Sequence, residues 1–124
     1  MIKHVLLVGL GGLAGSISRY LLQQTILKHY VTIFPLGTFT VNMLGSLMIG
    51  LIFGLANRYA WMSQEIRLLL AVGFMGSFTT FSTFAFDNYI LLREGNYGQF
   101  GGYAIASITA SITLALFGFL IGKG

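Results

Sequence analysis

Residues Gly73–Phe84, GFMGSFTTFSTF, place two glycines and five hydroxyl side chains inside a segment otherwise apolar enough to cross a membrane. Hydrocarbon offers no water to an unpaired N–H or C=O, so backbone that faces lipid stays helical. Gly-Ser followed by Thr-Thr predicts a break in that helix. A break survives at membrane depth only when protein buries it or when it lines a polar cavity. The run therefore points to coordination of an ion or small solute by hydroxyls and freed backbone groups.

Other polar residues lie in similarly apolar surroundings. Asn42 is flanked by Val41 and Met43, with Ser46 one turn further on the same face. An amide in lipid needs a partner, so Asn42 is either glue between helices or an N–H donor to an anion. Tyr103, Ser107 and Ser111 recur every fourth residue and form a hydroxyl stripe down one helix face. Thr109 and Thr113 make a second pair on another face. Any one of these hydroxyls can instead bond back to its own helix, whereas three in register also fit a polar track. Phe81 and Phe84 lie one turn apart. Aromatics at that spacing are ordinarily core or lipid contacts, but a phenyl ring also has a positive edge that holds an anion weakly. Weak holding suits a pore, because a conducting site must release what it binds. Arg19, near the end of the first apolar run, either snorkels to the interface or draws anions into a vestibule. Asp87 is the only acid well inside an apolar segment; it can titrate, bond to a hydroxyl or mark the segment's end.

The remaining chemistry is sparse. Glu65, Asp87 and Glu94 are the only acids, His4 and His29 are terminal or in a loop, and there is no cysteine. No set of nucleophile, base and orienting group can be assembled, and no phosphate loop or metal-ligand spacing is present. This excludes an enzyme, a disulfide framework and a thiolate metal site. The net charge of +4 comes from scattered residues that form no basic cluster, which argues against nucleic acid as a partner.

These residues must be positioned by elements that lipid can accommodate. Of 124 residues, 56% are hydrophobic and 8% charged, against roughly 25% charged in a soluble domain. The chain is read as a single integral membrane domain, all-α, with spans at about 4–26, 36–57, 66–92 and 98–121. Its first segment is read as an uncleaved helix in preference to a signal peptide. Pro35 marks a turn before the second span. Arg58, Trp61, Ser63 and Glu65 mark an interfacial loop with an aromatic anchor, and REGNYGQ at 93–99 marks a polar turn. Small residues four apart (Gly11 and Gly15; Ser46, Gly50 and Gly54; Gly118 and Gly122) predict close helix packing. With four spans, both termini share one side. That side and the second loop carry Lys3, Arg58, Arg67 and Lys123, against Lys28 and Arg93 opposite, a weak positive-inside bias that suits insertion in either orientation.

Taken together, GGLAGSISRY, GTFTVNMLGS, GFMGSFTTFSTF and the Tyr103–Ser107–Ser111 stripe resemble the Fluc (CrcB) family of small fluoride channels along nearly the whole chain. The resemblance implies an antiparallel, dual-topology homodimer in the inner (plasma) membrane, with four helices per subunit and the third broken near its middle. It implies two fluoride pores per dimer, one along each side of the subunit interface, that confer fluoride resistance by passive export. Carried over by position, Asn42 is the pore amide, Phe81 and Phe84 present ring edges, and Tyr103, Ser107 and Ser111 are the hydroxyl track. Thr38, Thr80, Ser82 and Thr83 add hydroxyls nearby. The backbone carbonyls of Gly76 and Thr79 match the positions that hold a central, structural sodium ion. Two positions depart from the family pattern: Asp87 stands where glutamate is usual, and Ser77 where glycine is common.

The chemistry agrees with that expectation. Fluoride is small and strongly hydrated, so a pore must replace its water with amide, hydroxyl and ring-edge donors. Two readings compete with it. A small proton-coupled multidrug exporter needs a carboxylate at its substrate site, and the first span has none. A non-transporting assembly subunit explains the glycine pairs but leaves the hydroxyls in register without a purpose.

Overall fold

The structure is a computed structural model that describes residues 1–124. Four helical stretches are long and apolar enough to span a membrane: Ile2–His29, Leu36–Arg58, Gln64–Arg93 and Tyr97–Lys123. Each covers the expected span and runs up to three residues beyond it, because polar residues at the interface sustain a helix as well as apolar ones do. α1 is Ile2–His29 and α2 is Leu36–Arg58. Pro35, which has no N–H to lose, stands immediately before α2.

The third span is composite. It opens with the single turn α3, Gln64–Arg67, capped by Ser63, whose hydroxyl accepts the Ile66 N–H at 3.3 Å. It widens into a π-helix over Leu68–Met75 and closes with the turn α4, Gly76–Phe78. Thr79 and Thr80 are extended, with ψ of 157° and 113°. Helix then resumes as α5, Phe81–Arg93, under a second cap in which the Thr80 hydroxyl accepts the Thr83 N–H at 3.2 Å. The break expected from GFMGSFTT is present, but the threonines form it and the glycines remain helical. Gly95, with a φ of 77°, makes the turn into α6, Tyr97–Lys123.

The spans associate as two side-by-side pairs, α1 with the π-helical half of the third span and α2 with α6. Glycine sets both distances. A Cβ on Gly50 would overlap the Ala115 carbonyl, and one on Gly118 would overlap that of Leu47. A Cβ on Gly11 would overlap the Leu69 carbonyl, and one on Gly73 would stand 2.8 Å from that of Val8. The small-residue series is thus used as its spacing predicts, to bring backbones together. A small apolar core of Val41, Ile52, Met62, Ala71, Met75 and Phe78 fills the space between the pairs. Leu6, Leu10, Leu13 and Leu21 face outward from α1, as expected where lipid or another apolar surface replaces water.

At the end that carries both termini, Trp61 is exposed and its ring stacks on Tyr59 at 5.7 Å. The Arg58 guanidinium lies 4.9 Å from the Tyr59 ring centre. An exposed aromatic cluster of this kind, between two apolar spans, is what an interfacial anchor requires. Lys3 and Glu65 pair at 3.8 Å across the same surface, an exposed contact of little energetic weight.

Candidate functional site

Asn42 organises the break. Its Oδ1 accepts the Thr80 N–H at 2.8 Å, and its Nδ2 donates to the Thr80 carbonyl at 3.2 Å. The amide therefore pairs with a backbone residue as a neighbouring strand would. In an unbroken helix the Thr80 N–H would go to the Gly76 carbonyl. With that N–H taken, Gly76 has no backbone donor. Thr79 is in the same position, because the Thr83 N–H is held by the Thr80 hydroxyl. Thr79 Oγ1 turns back to donate to the Met75 carbonyl at 3.0 Å. The glue and donor readings of Asn42 are compatible, since Nδ2 carries a second proton beyond the one given to Thr80.

A cavity of about 550 Å³ lies against the break. Of the residues singled out in the sequence, Asn42, Thr80, Phe81, Phe84, Ser107 and Ser111 line it, as do Ser46, Gly76 and Thr79. Phe81 is 79% exposed and its ring centre lies 5.7 Å from that of Phe84. Ser107 is 7% exposed, and its hydroxyl, buried at the atomic level, has no hydrogen-bond partner. A buried hydroxyl without a partner costs free energy, and Ser107 is among the residues that line the cavity. Ser111 donates to its own Ile108 carbonyl at 3.1 Å and Thr113 to that of Thr109 at 2.8 Å. The hydroxyl stripe is thus real as a geometric line but chemically uneven, with Ser107 free and Ser111 bonded back.

A second cavity of about 290 Å³ holds Thr38, Thr83 and Asp87, together with Gln23 and Phe34. Tyr103 stands between the two. It is fully buried, with its ring 5.0 Å from that of Phe84 and 5.3 Å from that of Phe34. Its hydroxyl donates to Asp87 Oδ2 at 3.0 Å, so Asp87 bonds a hydroxyl, one of the roles its sequence position allowed. Ser82 is exposed and sits 3.3 Å from the Thr80 hydroxyl, outside both cavities.

Arg19 points inward and lines neither cavity. Its Nε donates to the Ser77 carbonyl at 3.1 Å and its Nη1 to Gln23 Oε1 at 3.3 Å; Gln23 Nε2 donates in turn to Thr38 Oγ1 at 3.4 Å. Sequence reasoning passed over Gln23. The signal was available, since an amide four residues after Arg19 must share its helix face. It also passed over Asn88, which is buried with Nδ2 donating to the Phe84 carbonyl at 2.9 Å and Oδ1 without a partner.

The larger cavity is thus lined by the Asn42 amide, by the hydroxyls of Ser46 and Ser107, neither of which has a partner, and by the rings of Phe81 and Phe84, and no ionised side chain lines it. Neutral donors of this kind can replace the hydration of a small anion without binding it tightly. Residues 6–119 match the profile of the family described as CrcB-like protein, Camphor Resistance (CrcB). A fluoride-specific ion channel FluC of Gloeothece citriformis is 46% identical over 122 residues, 98% of each chain. The protein of the same description from Methylobacillus flagellatus is 42% identical over 97% of this chain and 94% of its own. That from Bacteroides fragilis is 42% identical over 98% and 97%.

Proposed function

The chain belongs to the CrcB family and is a fluoride-specific ion channel of the cell membrane, not an enzyme, and from that premise we propose how its residues make the pathway. Fluoride passes through the larger cavity, taking the second N–H of Asn42, the hydroxyl of Ser107 and the ring edges of Phe81 and Phe84 in place of water. The observation that carries this reading is that the Asn42 amide, the Ser46 and Ser107 hydroxyls and two phenyl rings converge on one cavity with no ionised side chain. Ser111, Thr80 and Ser46 lie along the same wall. Thr38, Thr83 and Asp87, in the second cavity, form the approach from the end where α1 meets α2, and Tyr103 is the partition that fluoride passes. Ser82 flanks this route. Arg19 acts on it from behind the break, through Gln23, which lines the approach.

The protein works as an antiparallel homodimer with two such pathways. This is supported by the outward-facing Phe81 ring, by the apolar outer face of α1 and by the weakness of the positive-charge bias between the two ends. The carbonyls of Gly76 and Thr79, left without backbone donors, fit a cation, and two copies meeting at the break would supply four oxygens. Sodium held there would neutralise the converging carbonyl dipoles and tie the subunits together. Flow is passive, because neutral donors set no proton or counter-ion requirement.

Fluoride and chloride efflux from liposomes carrying the purified protein tests this. Rapid fluoride release with negligible chloride release is the expected result, and Ser107→Ala should slow it. An equal rate for both halides would reject the assignment of these donors to fluoride.

A further inference from the structure

Ser77 is the residue of the break that the channel reading leaves without a task. Both of its polar groups face α1. Its hydroxyl lies 2.9 Å from the Gly12 carbonyl, and 3.0 and 3.2 Å from the Gly73 and Phe74 carbonyls of its own span. Its own carbonyl accepts from Arg19 Nε at 3.1 Å. Any serine in a helix can reach back to carbonyls three and four residues before it. The Gly12 contact is what packing against α1 adds, and the hydroxyl fits there closely. A Cβ on Gly15 would overlap both Ser77 Oγ and the Phe74 carbonyl, so the hydroxyl occupies the notch that Gly15 leaves open.

We propose that Ser77 is a positioning residue of the ion pathway: with Arg19 it staples the break to α1, as Asn42 staples it to α2. Gly12 and Arg19 stand about two turns apart on α1. Bonds to both resist rotation of the break about its axis, which a single bond would permit. On the far side the Asn42 amide grips Thr80 by its N–H and its carbonyl. The segment Ser77–Thr80 is therefore pinned at both ends. Those pins fix where the free carbonyls of Gly76 and Thr79 point and where the Thr80 face meets the larger cavity. Ser77 itself lines neither cavity and touches no ion. The inference rests on the channel reading and adds to it a residue that acts through the break.

The test compares full-length wild type with Ser77→Ala, Ser77→Cys, Arg19→Lys and the double variant S77A/R19K. Fluoride efflux per reconstituted protein is read beside chloride efflux and thermal unfolding in detergent. Ser77→Ala should slow fluoride by roughly three- to tenfold, the range one lost hydrogen bond in a membrane protein supplies, with unfolding close to wild type. Ser77→Cys keeps a weak donor and should fall between. Because both residues hold the same segment, the double variant should lose much less than the product of the single losses. The inference is overturned by wild-type efflux from folded Ser77→Ala, by losses in the double variant that multiply, or by a flux deficit that follows the loss of folded protein. Wild-type protein that releases no fluoride would reject the channel reading itself.

Discussion

The α2–α6 pair and the α1–third-span pair begin from the same device and end differently. In both, glycines admit a neighbouring carbonyl to a distance that no Cβ would allow. Between α2 and α6 both helices stay regular, and their backbones meet at Gly50, Gly54, Gly118 and Gly122 with no break in either. Between α1 and the third span the backbone widens, turns and opens at Thr79–Thr80. There, side chains from other spans take over backbone pairing, Arg19 from α1 and Asn42 from α2, while Ser77 reaches from the third span itself to α1. Close glycine packing therefore does not by itself make a site. A site arises where close packing is combined with a polar side chain able to stand in for a helix hydrogen bond.

Substitutions can break this contrast, starting with the pair whose helices both stay regular. Gly50→Leu forces a branched side chain into the Ala115 backbone and should cost about 3 kcal/mol or more, seen as loss of monodisperse protein in detergent. Survival of a folded, conducting Gly50→Leu protein would show that the α2–α6 spacing is not fixed by glycine. Asn42→Leu leaves Thr80 without its two side-chain bonds, worth about 2 kcal/mol together, or roughly thirtyfold in an equilibrium. Fluoride efflux should fall by at least that factor while chloride stays negligible, and a rate within twofold of wild type would remove Asn42 from the pathway.

Ser107→Ala sharpens the contrast by moving two readouts in opposite directions. Deleting a buried hydroxyl that has no partner is neutral or stabilising, so the melting temperature should hold or rise by a few degrees. Fluoride efflux should fall by roughly tenfold, the weight of one hydrogen bond to a charged group. A fall in both would make Ser107 a packing residue. The smallest effect belongs to Thr113→Val. Its hydroxyl is already bonded to the Thr109 carbonyl, and efflux and melting should both stay within error of wild type.

Much of this was legible in the sequence, and the limits have physical causes. The four spans follow from length and hydropathy, and the glycine contacts follow from spacing, because close approach demands small residues at fixed intervals. The break follows from a cluster of β-branched hydroxyl residues that compete with the ladder for hydrogen bonds. The π-helix was not legible. LLLAVGFM is apolar on every face, so no polar residue marks the phase of the helix and nothing reports its pitch. The partners of Ser77 were hidden as well, since a hydroxyl's choice among Gly12, Gly73 and Phe74 depends on how α1 crosses it. Bonding of Ser111 back to Ile108 and freedom of Ser107 are likewise matters of rotamer, and identical spacing conceals them.

One consequence of the interrupted third span concerns its electric field. A continuous helix carries its two opposite half-charges at its ends, here at the two faces of the membrane. Cutting the span at Thr79–Thr80 creates a second pair of ends in the middle of the hydrocarbon layer. A carbonyl terminus at Gly76–Thr79 and an amide terminus at Phe81 lie within a few residues of each other. The chain thereby brings attraction for ions of either sign to the depth where lipid is least hospitable to them. It does so without burying an ionised side chain in the larger cavity, and with partial charges too small to hold a passing ion for long.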